Sequence, residues 1–356
     1  MKIGLMHNLY GELARGGAEN VVKLMAQELR ASGQTVFLIT TKPRGMKSLS
    51  DIDPTGLKIY YLDSNFYNLG STPLSYRLFW QIGNIFSISR YFQLKKILKT
   101  EEPDLVITHN LMGLGSLAPL ALRRLKIKHE HFLHDIQLLH PSGLMILGQE
   151  KKIESLSARA YQALNRWLFS SPAKIISPSR WLLDLHQRHG FFPCSIGEIK
   201  PLQLSRPDAT TDRRSRGDMP PINFLFVGQI EDHKGILFLI EIFKNIKDQS
   251  IGLRIAGDGQ KLEAAKNAAA GDKRIEFLGR LDRTGVQGEM AKSAYLIVPS
   301  LCYENSPTVI YEARAADLPI IAADIGGIKE IIGPHDQLFT AGNQEDLKKK
   351  IIAASK

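Results

Sequence analysis

Cysteine is nearly absent from this sequence. Cys194 and Cys302 are the only two, far apart and outside any C-x-x-C, which excludes a disulfide framework and a thiolate metal site. Long apolar runs are missing as well: no stretch reaches the roughly 18 uncharged apolar residues of a spanning helix. The N-terminus runs straight into an apolar strand rather than a signal peptide. The expected location is the cytoplasm, or the cytosolic face of a membrane. No G-x-G-x-x-G follows the first strand, which argues against a nicotinamide dehydrogenase. Basic motifs interleaved with aromatics are lacking too, so nucleic acid is not an expected partner.

What remains is the composition of an ordinary soluble protein, 44% hydrophobic, with 356 residues, enough for two α/β domains. The net charge of +10 is unevenly spread. Residues 1–200 hold 25 Lys+Arg against 15 Asp+Glu, and residues 201–356 hold 21 against 21. A basic N-terminal half attracts anionic surfaces, such as lipid headgroups or a lipid diphosphate.

The most informative stretch is Pro299 to Glu312, which holds Glu304 and Glu312. Ala294–Val298 ahead of it reads as a buried parallel strand, so Glu304 leaves that strand's carboxyl end, where α/β sheets bind ligands. Ser306 suits an N-cap and Pro307 the first helical position, which puts Glu304 in the loop and Glu312 in the helix. The free N–H groups from Ser306 to Ile310 favour an anion such as a diphosphate. Two carboxylates beside an anion site suit a sugar nucleotide, whose hydroxyls need acceptors.

Earlier in the chain, Lys2–Met6, Thr35–Thr40, Lys58–Leu62, Pro103–Asn110 and Ala173–Ser179 read as strands. A Gly16-Gly17-Ala18-Glu19 turn leads into a helix from Glu19 to Ala31, a phosphate-binding arrangement in principle. Tyr76 to Lys99 crowds Phe79, Trp80, Ile82, Phe86, Ile88 and Phe92 with Arg77, Arg90, Lys95, Lys96 and Lys99, and reads as a long helix broken near Gly83-Asn84. One rim of it has the character of a membrane interface. His129 and His131 share a strand face but lack further ligands for a metal. His134 ends that strand facing the cleft, and Asp135 or the backbone is expected to fix its tautomer. Cys302 reads as a small packing residue. The polar, proline-bearing stretch from Ser205 to Pro221 reads as a linker.

The pair Glu304 and Glu312, followed by Pro319 to Glu330 with its Asp324, Gly326 and Gly327, resembles the retaining glycosyltransferases of the GT-B fold, family 4. The resemblance covers almost the whole chain and is strongest over residues 222–332. It implies an α/β protein of GT-B type, with two Rossmann-like β/α/β domains facing across a cleft. Residues 1–198 would bind the acceptor, 199–221 would link, and 222–356 would bind the nucleotide sugar. It gives Glu304 the donor sugar, Glu312 the ribose hydroxyls, and His134 the acceptor side of the sugar, with Glu304 and His134 catalytic. The Gly16-Gly17 loop would cover the donor phosphates. Gly228, Gln229 and Lys234 form the diphosphate loop, with Gln229 where the family usually carries Arg, so that more falls to Lys234. Arg280 lies by the base, and Asn305, Ser306, Pro307 and Thr308 at the phosphate-binding helix start. The family's Asn-Gly-Asp hinge and its last helix crossing back to the first domain are not visible.

The implied reaction is sugar transfer, with retention, from a UDP- or GDP-sugar to a glycan or lipid-linked acceptor in cell-surface polysaccharide synthesis. No metal and no cofactor are expected. A nucleotide-sugar 2-epimerase of the same architecture and a non-catalytic nucleotide-binding scaffold remain alternatives.

Overall fold

The computed structural model describes residues 1–14, 16–46, 49–65, 67, 72–202 and 222–356. The expected linker lies largely outside the described residues. Two compact units emerge: Met1–Gly143 with Lys152–Lys200, and Leu144–Lys151 with Pro201–Lys356.

Unit 1 alternates strand and helix. Its elements are β1 (Lys2–Met6), α1 (Gly17–Ala31), β2 (Thr35–Pro43), β3 (Lys58–Ser64), α2 (Leu74–Ile85), α3 (Ile88–Glu101), β4 (Leu105–Thr108), α4 (Ala118–Arg124), β5 (Lys128–Phe132), α5 (Leu156–Phe169), β6 (Lys174–Ser177), α6 (Arg180–Arg188) and β7 (Ile196–Ile199). The sheet order is β3-β2-β1-β4-β5-β6-β7, parallel throughout. Central strands such as β4, Leu-Val-Ile-Thr, are buried along their whole length, because helices cover both faces of a parallel sheet. The break between α2 and α3 falls at Phe86-Ser87, after the Gly83-Asn84 step expected from sequence. Asn84 is held inside by its Oδ1, which accepts from the Gly113 N–H at 2.9 Å, so helix continues through it.

Unit 2 repeats the scheme with β8 (Ile222–Val227), α7 (Ile236–Lys244), β9 (Ile251–Ala256), α8 (Leu262–Ala269), β10 (Ile275–Gly279), α9 (Arg283–Lys292), β11 (Tyr295–Val298), α10 (Thr308–Ala315), β12 (Ile320–Asp324), β13 (Gln337–Thr340) and α11 (Gln344–Ala354). Its parallel sheet runs β10-β9-β8-β11-β12-β13 around a core of buried Phe, Leu and Ile. In each sheet the strand order reverses beside the first strand, between β1 and β4 and between β8 and β11. Ligands of open α/β sheets bind outside the strand carboxyl ends at such points.

Candidate active site

The reversal point of unit 2 carries Lys234 and Glu304. Lys234 closes a short 3-10 turn, Asp232–Lys234, after β8, and Glu304 lies on the loop after β11. The loops are joined through the backbone: the Leu301 N–H donates to the His233 carbonyl at 2.9 Å. Gly235, at φ +75°, permits this approach, since a Cβ there would stand 1.9 Å from the Pro299 carbonyl oxygen. Gly326, at φ +65°, plays the same part on the other side, where a Cβ would stand 2.2 Å from the Glu304 carbonyl oxygen. That carbonyl accepts from the Gly327 N–H at 2.8 Å.

A third support comes from residues Leu144–Lys151, which belong to unit 2 although the chain on either side of them belongs to unit 1. Ile146 and Cys302 form an antiparallel bridge. Leu147 donates its N–H to the Leu301 carbonyl at 2.9 Å, and Tyr303 donates its own to the Met145 carbonyl at 2.8 Å. The Tyr303 hydroxyl donates to Glu150 at 3.0 Å.

Held in this way, the Glu304 carboxylate gathers three groups on Oε1: Lys234 Nζ at 2.6 Å, Ser300 Oγ at 2.9 Å and Cys302 Sγ at 3.8 Å. No hydrogen bond to Oε2 is seen among the described residues. Burial acts to raise the Glu304 pKa, but the Lys234 charge and hydrogen bond outweigh it and hold it below the usual carboxylate value. Lys234 is correspondingly raised, Glu304 overcoming burial. The pair is therefore ionised at neutral pH. Burial first, and then Glu304, push the Cys302 thiol up to about 12, so it stays protonated and packs, as the sequence suggested.

The helix bearing Glu312 starts one residue later than expected. Pro307 occupies the N-cap of α10, and Ser306 caps nothing; its hydroxyl pairs with the Tyr311 hydroxyl at 2.8 Å. Asn305 is buried and Thr308 opens the helix. No acidic residue sits in the first turn of α10. Glu312 is half-buried, and desolvation raises its pKa against the lowering field of Arg283. Gly228 follows β8 directly; Gln229 and Arg280 are exposed. Ser300, Gly326 and Gly327 support Glu304 without standing among the expected site residues; their position at strand exits β11 and β12 is the signal that points to them.

In unit 1, Gly16 caps α1, and its N–H donates to Glu19 Oε2 at 3.1 Å. Gly17 begins the helix. A carboxylate thus sits at the α1 N-terminus, where the resemblance placed a phosphate.

The reversal point of unit 1 carries histidines. His7 follows β1, His109 follows β4, and His134 lies two residues past β5. His109 Nδ1 stands 2.8 Å from His134 Nε2. The ring centroid of His7 is 5.8 Å from those of both others. Burial pushes His134 down to about 3 and His109 well below its ordinary value, so both are neutral. His109 Nε2 has no partner among the described residues. A buried orphan N–H costs more than a buried orphan acceptor, so the proton sits on His109 Nδ1, which donates to His134. In this bond His134 Nε2 is the acceptor. Asp135, expected with the backbone as the alternative to fix the His134 tautomer, accepts from Asn110 Nδ2 at 3.1 Å and the Gln137 N–H at 2.7 Å. Burial raises Asp135 to about 6 against these bonds. His129 Nε2 and His131 Nδ1 both meet the Thr108 hydroxyl, at 2.7 and 2.8 Å. No metal-binding group of three or more ligands occurs among the described residues.

Two family models match the chain: "Glycosyltransferase Family 4" over residues 15–199 and "Glycosyl transferases group 1" over residues 221–356. A 42.6 kDa protein of the cps region of Klebsiella pneumoniae is 25% identical over 93% of this chain and 87% of its own length. The putative teichuronic acid biosynthesis glycosyltransferase TuaC of Bacillus subtilis is 26% identical over 67% of this chain and 57% of its own. Among solved structures, Anabaena HepE in complex with UDP superposes with a TM-score of 0.72 at 17% identity, covering 99% of this chain and 89% of that one. The fold is GT-B. With both halves matched and more than half of its length covered by one model, the chain belongs to glycosyltransferase family 4, the group 1 glycosyltransferases, and is a glycosyltransferase.

Proposed function

We propose that the protein transfers a sugar, with retention at the anomeric carbon, from a UDP- or GDP-sugar to a glycan or lipid-linked acceptor of a cell-surface polysaccharide. The observation that carries this reading is the ionised Lys234–Glu304 pair at the β8/β11 exits, followed by an α10 N-terminus free of acidic residues. Of the three N–H donors of Lys234, one meets Glu304, and two remain for a diphosphate. Glu304 Oε2 accepts from a sugar hydroxyl, and Glu312 from the ribose. Gly228, the Gln229 amide and the Asn305–Thr308 turn complete the phosphate contacts, with Arg280 toward the base and the Gly16-Gly17 turn over the phosphates.

In the reaction the bond from the anomeric carbon to the phosphate oxygen breaks and the bond to the acceptor oxygen forms on the same face. The acceptor's proton passes to the departing phosphate. Lys234 and the α10 N-terminus stabilise the negative charge that develops, and such preorganised charge stabilisation is the main source of rate enhancement in sites of this kind. His134, neutral and oriented by His109, addresses a sugar or acceptor hydroxyl. The UDP bound by HepE and the teichuronic acid biosynthesis role of TuaC support the donor class and the pathway type. Membrane contact is assigned to unit 1, where Tyr76, Phe79, Phe86, Ile88 and Phe92 of the α2–α3 stretch are exposed. No described helix is long and apolar enough to cross a membrane.

The test is the anomeric proton of the product, read by NMR after incubation with UDP- and GDP-sugars and a membrane extract. Retention of the donor configuration is expected. An inverted product, or epimerised donor without any transfer, contradicts the reading.

A further inference from the structure

At the β2–β3 edge of unit 1, a cavity of about 510 Å³ opens at the strand carboxyl ends, with no described histidine in its lining. Its size is that of a small-ligand pocket. Lys42, Arg44 and Arg90 line it, against one carboxylate, Asp63. Asp63 neutralises little of this charge: its side chain is 58% exposed and its Oδ1 lies 3.9 Å from Lys42 Nζ.

Arg90 is the informative residue. Its Nη2 donates to the Asp63 backbone carbonyl at 3.0 Å, which anchors the guanidinium, while the buried Nη1 has no partner among the described residues. A guanidinium held by one nitrogen and unsatisfied at the other lacks an acceptor. Burial lowers its pKa against the raising field of Asp63. Ser87 and Ser89 line the same cavity at the start of α3, whose N-cap makes no side-chain bond and whose first turn holds no acid. Three cations, hydroxyls and a positive helix end converge on one polar space, with Trp80 on its wall.

We propose that this cavity binds a phosphate ester. The guanidinium groups of Arg90 and Arg44 on the cavity wall are planar donors of the kind that phosphate oxygens take in pairs, and Lys42 adds a point charge. The exposed Phe79, Ile88 and Phe92 on the same two helices, with Phe86 between them, suit an ester carried at a lipid surface; a soluble phosphate ester has the same recognisable group. The proposal stands independently of the donor site in unit 2.

The test uses the full chain and two probes: glycerol 1-phosphate, followed by calorimetry, and vesicles of phosphatidylcholine with or without phosphatidic acid, followed by flotation. Binding of either probe is expected to fall with salt and to weaken about tenfold or more in Lys42→Gln/Arg44→Gln and in Arg90→Gln. The double variant keeps the test open should Arg90→Gln fail to fold. Loss with both probes assigns the site to the ester itself; loss with vesicles alone assigns it to a lipid-borne phosphate. Unchanged binding in the double variant overturns the proposal, as does binding of neither probe by the wild type. An equal loss in Lys95→Gln/Lys96→Gln, whose lysines lie outside the cavity lining, reduces the effect to general surface charge and also overturns it. Lys234→Ala must retain glycerol phosphate binding; its loss there returns the anion to the donor site.

Discussion

At the scale of single residues, the chemistry rests on pairs that share no local sequence. Glu304→Ala removes the carboxylate from the donor sugar and is expected to lower kcat about 10²–10³-fold, the range for one preorganised polar group. Lys234→Ala should lower kcat similarly and weaken nucleotide affinity, because it leaves Glu304 desolvated and unpaired. Near-wild-type kinetics in either variant contradict their roles. The His109 assignment has its own signature. His109→Asn keeps an N–H near the Nδ1 position and should preserve activity and the ¹⁵N tautomer pattern of His134, whereas His109→Phe should lose both. An unaltered pattern in His109→Phe refutes the assignment. The carboxylates Glu304 and Glu312 are legible in the sequence because their spacing and the strand before them are local. The Lys234–Glu304 bond spans 70 positions and the His109–His134 bond 25, so both appear only once the sheets are built. Asp135 is the instructive case: it neighbours His134 in sequence but turns to Asn110 and the Gln137 amide.

At the scale of elements, the buried strands announce themselves as apolar runs, and β1, β2, β4, β6 and β11 lie where those runs predict. Of the two edges of the first sheet, β3 is legible in this way and β7 is not. Sheet edge β7, Ile-Gly-Glu-Ile, has two exposed positions and reads as loop, since an edge strand lacks the two-sided burial that makes the others conspicuous. The return of Leu144–Lys151 to unit 2 leaves no trace in composition either. The tight approach of the loops yields a sharp prediction: Gly326→Ala places a Cβ 2.2 Å from the Glu304 carbonyl oxygen at a left-handed φ. It should cost more than ~1 kcal/mol of stability and depress turnover together. A variant as stable and as active as wild type would show that the Glu304 loop does not need this contact.

At the scale of the whole molecule, the two units should respond differently to acid. Unit 1 holds His7, His109, His129, His131, His134 and His186 buried, each with its pKa lowered first by desolvation, His129 and His134 to about 3 and His186 to about 4. Each binds a proton on unfolding once the pH is below the unfolded value near 6.5. Stability is therefore full above about 6.5 and declines as pH falls toward the folded values, by up to ~1.4 kcal/mol per pH unit per histidine. Asp135, raised to about 6, acts oppositely between its unfolded and folded values, and six histidines outweigh it. Calorimetry from pH 7.5 down to 5 should show the unit 1 transition falling further than that of unit 2, where burial lowers His233. Parallel movement of both transitions contradicts this.

The donor site itself is tested most directly by the melting temperature of the purified chain with UDP, GDP or ADP, measured for wild type and Glu312→Ala. A ligand at 100 times its dissociation constant adds about 2.7 kcal/mol, a shift well within measurement. One nucleotide, UDP or GDP, should raise the unit 2 transition, and Glu312→Ala should reduce that rise. Absence of a shift with every nucleotide, or an equal shift in the variant, contradicts a nucleotide-sugar site built on Lys234, Glu304 and Glu312.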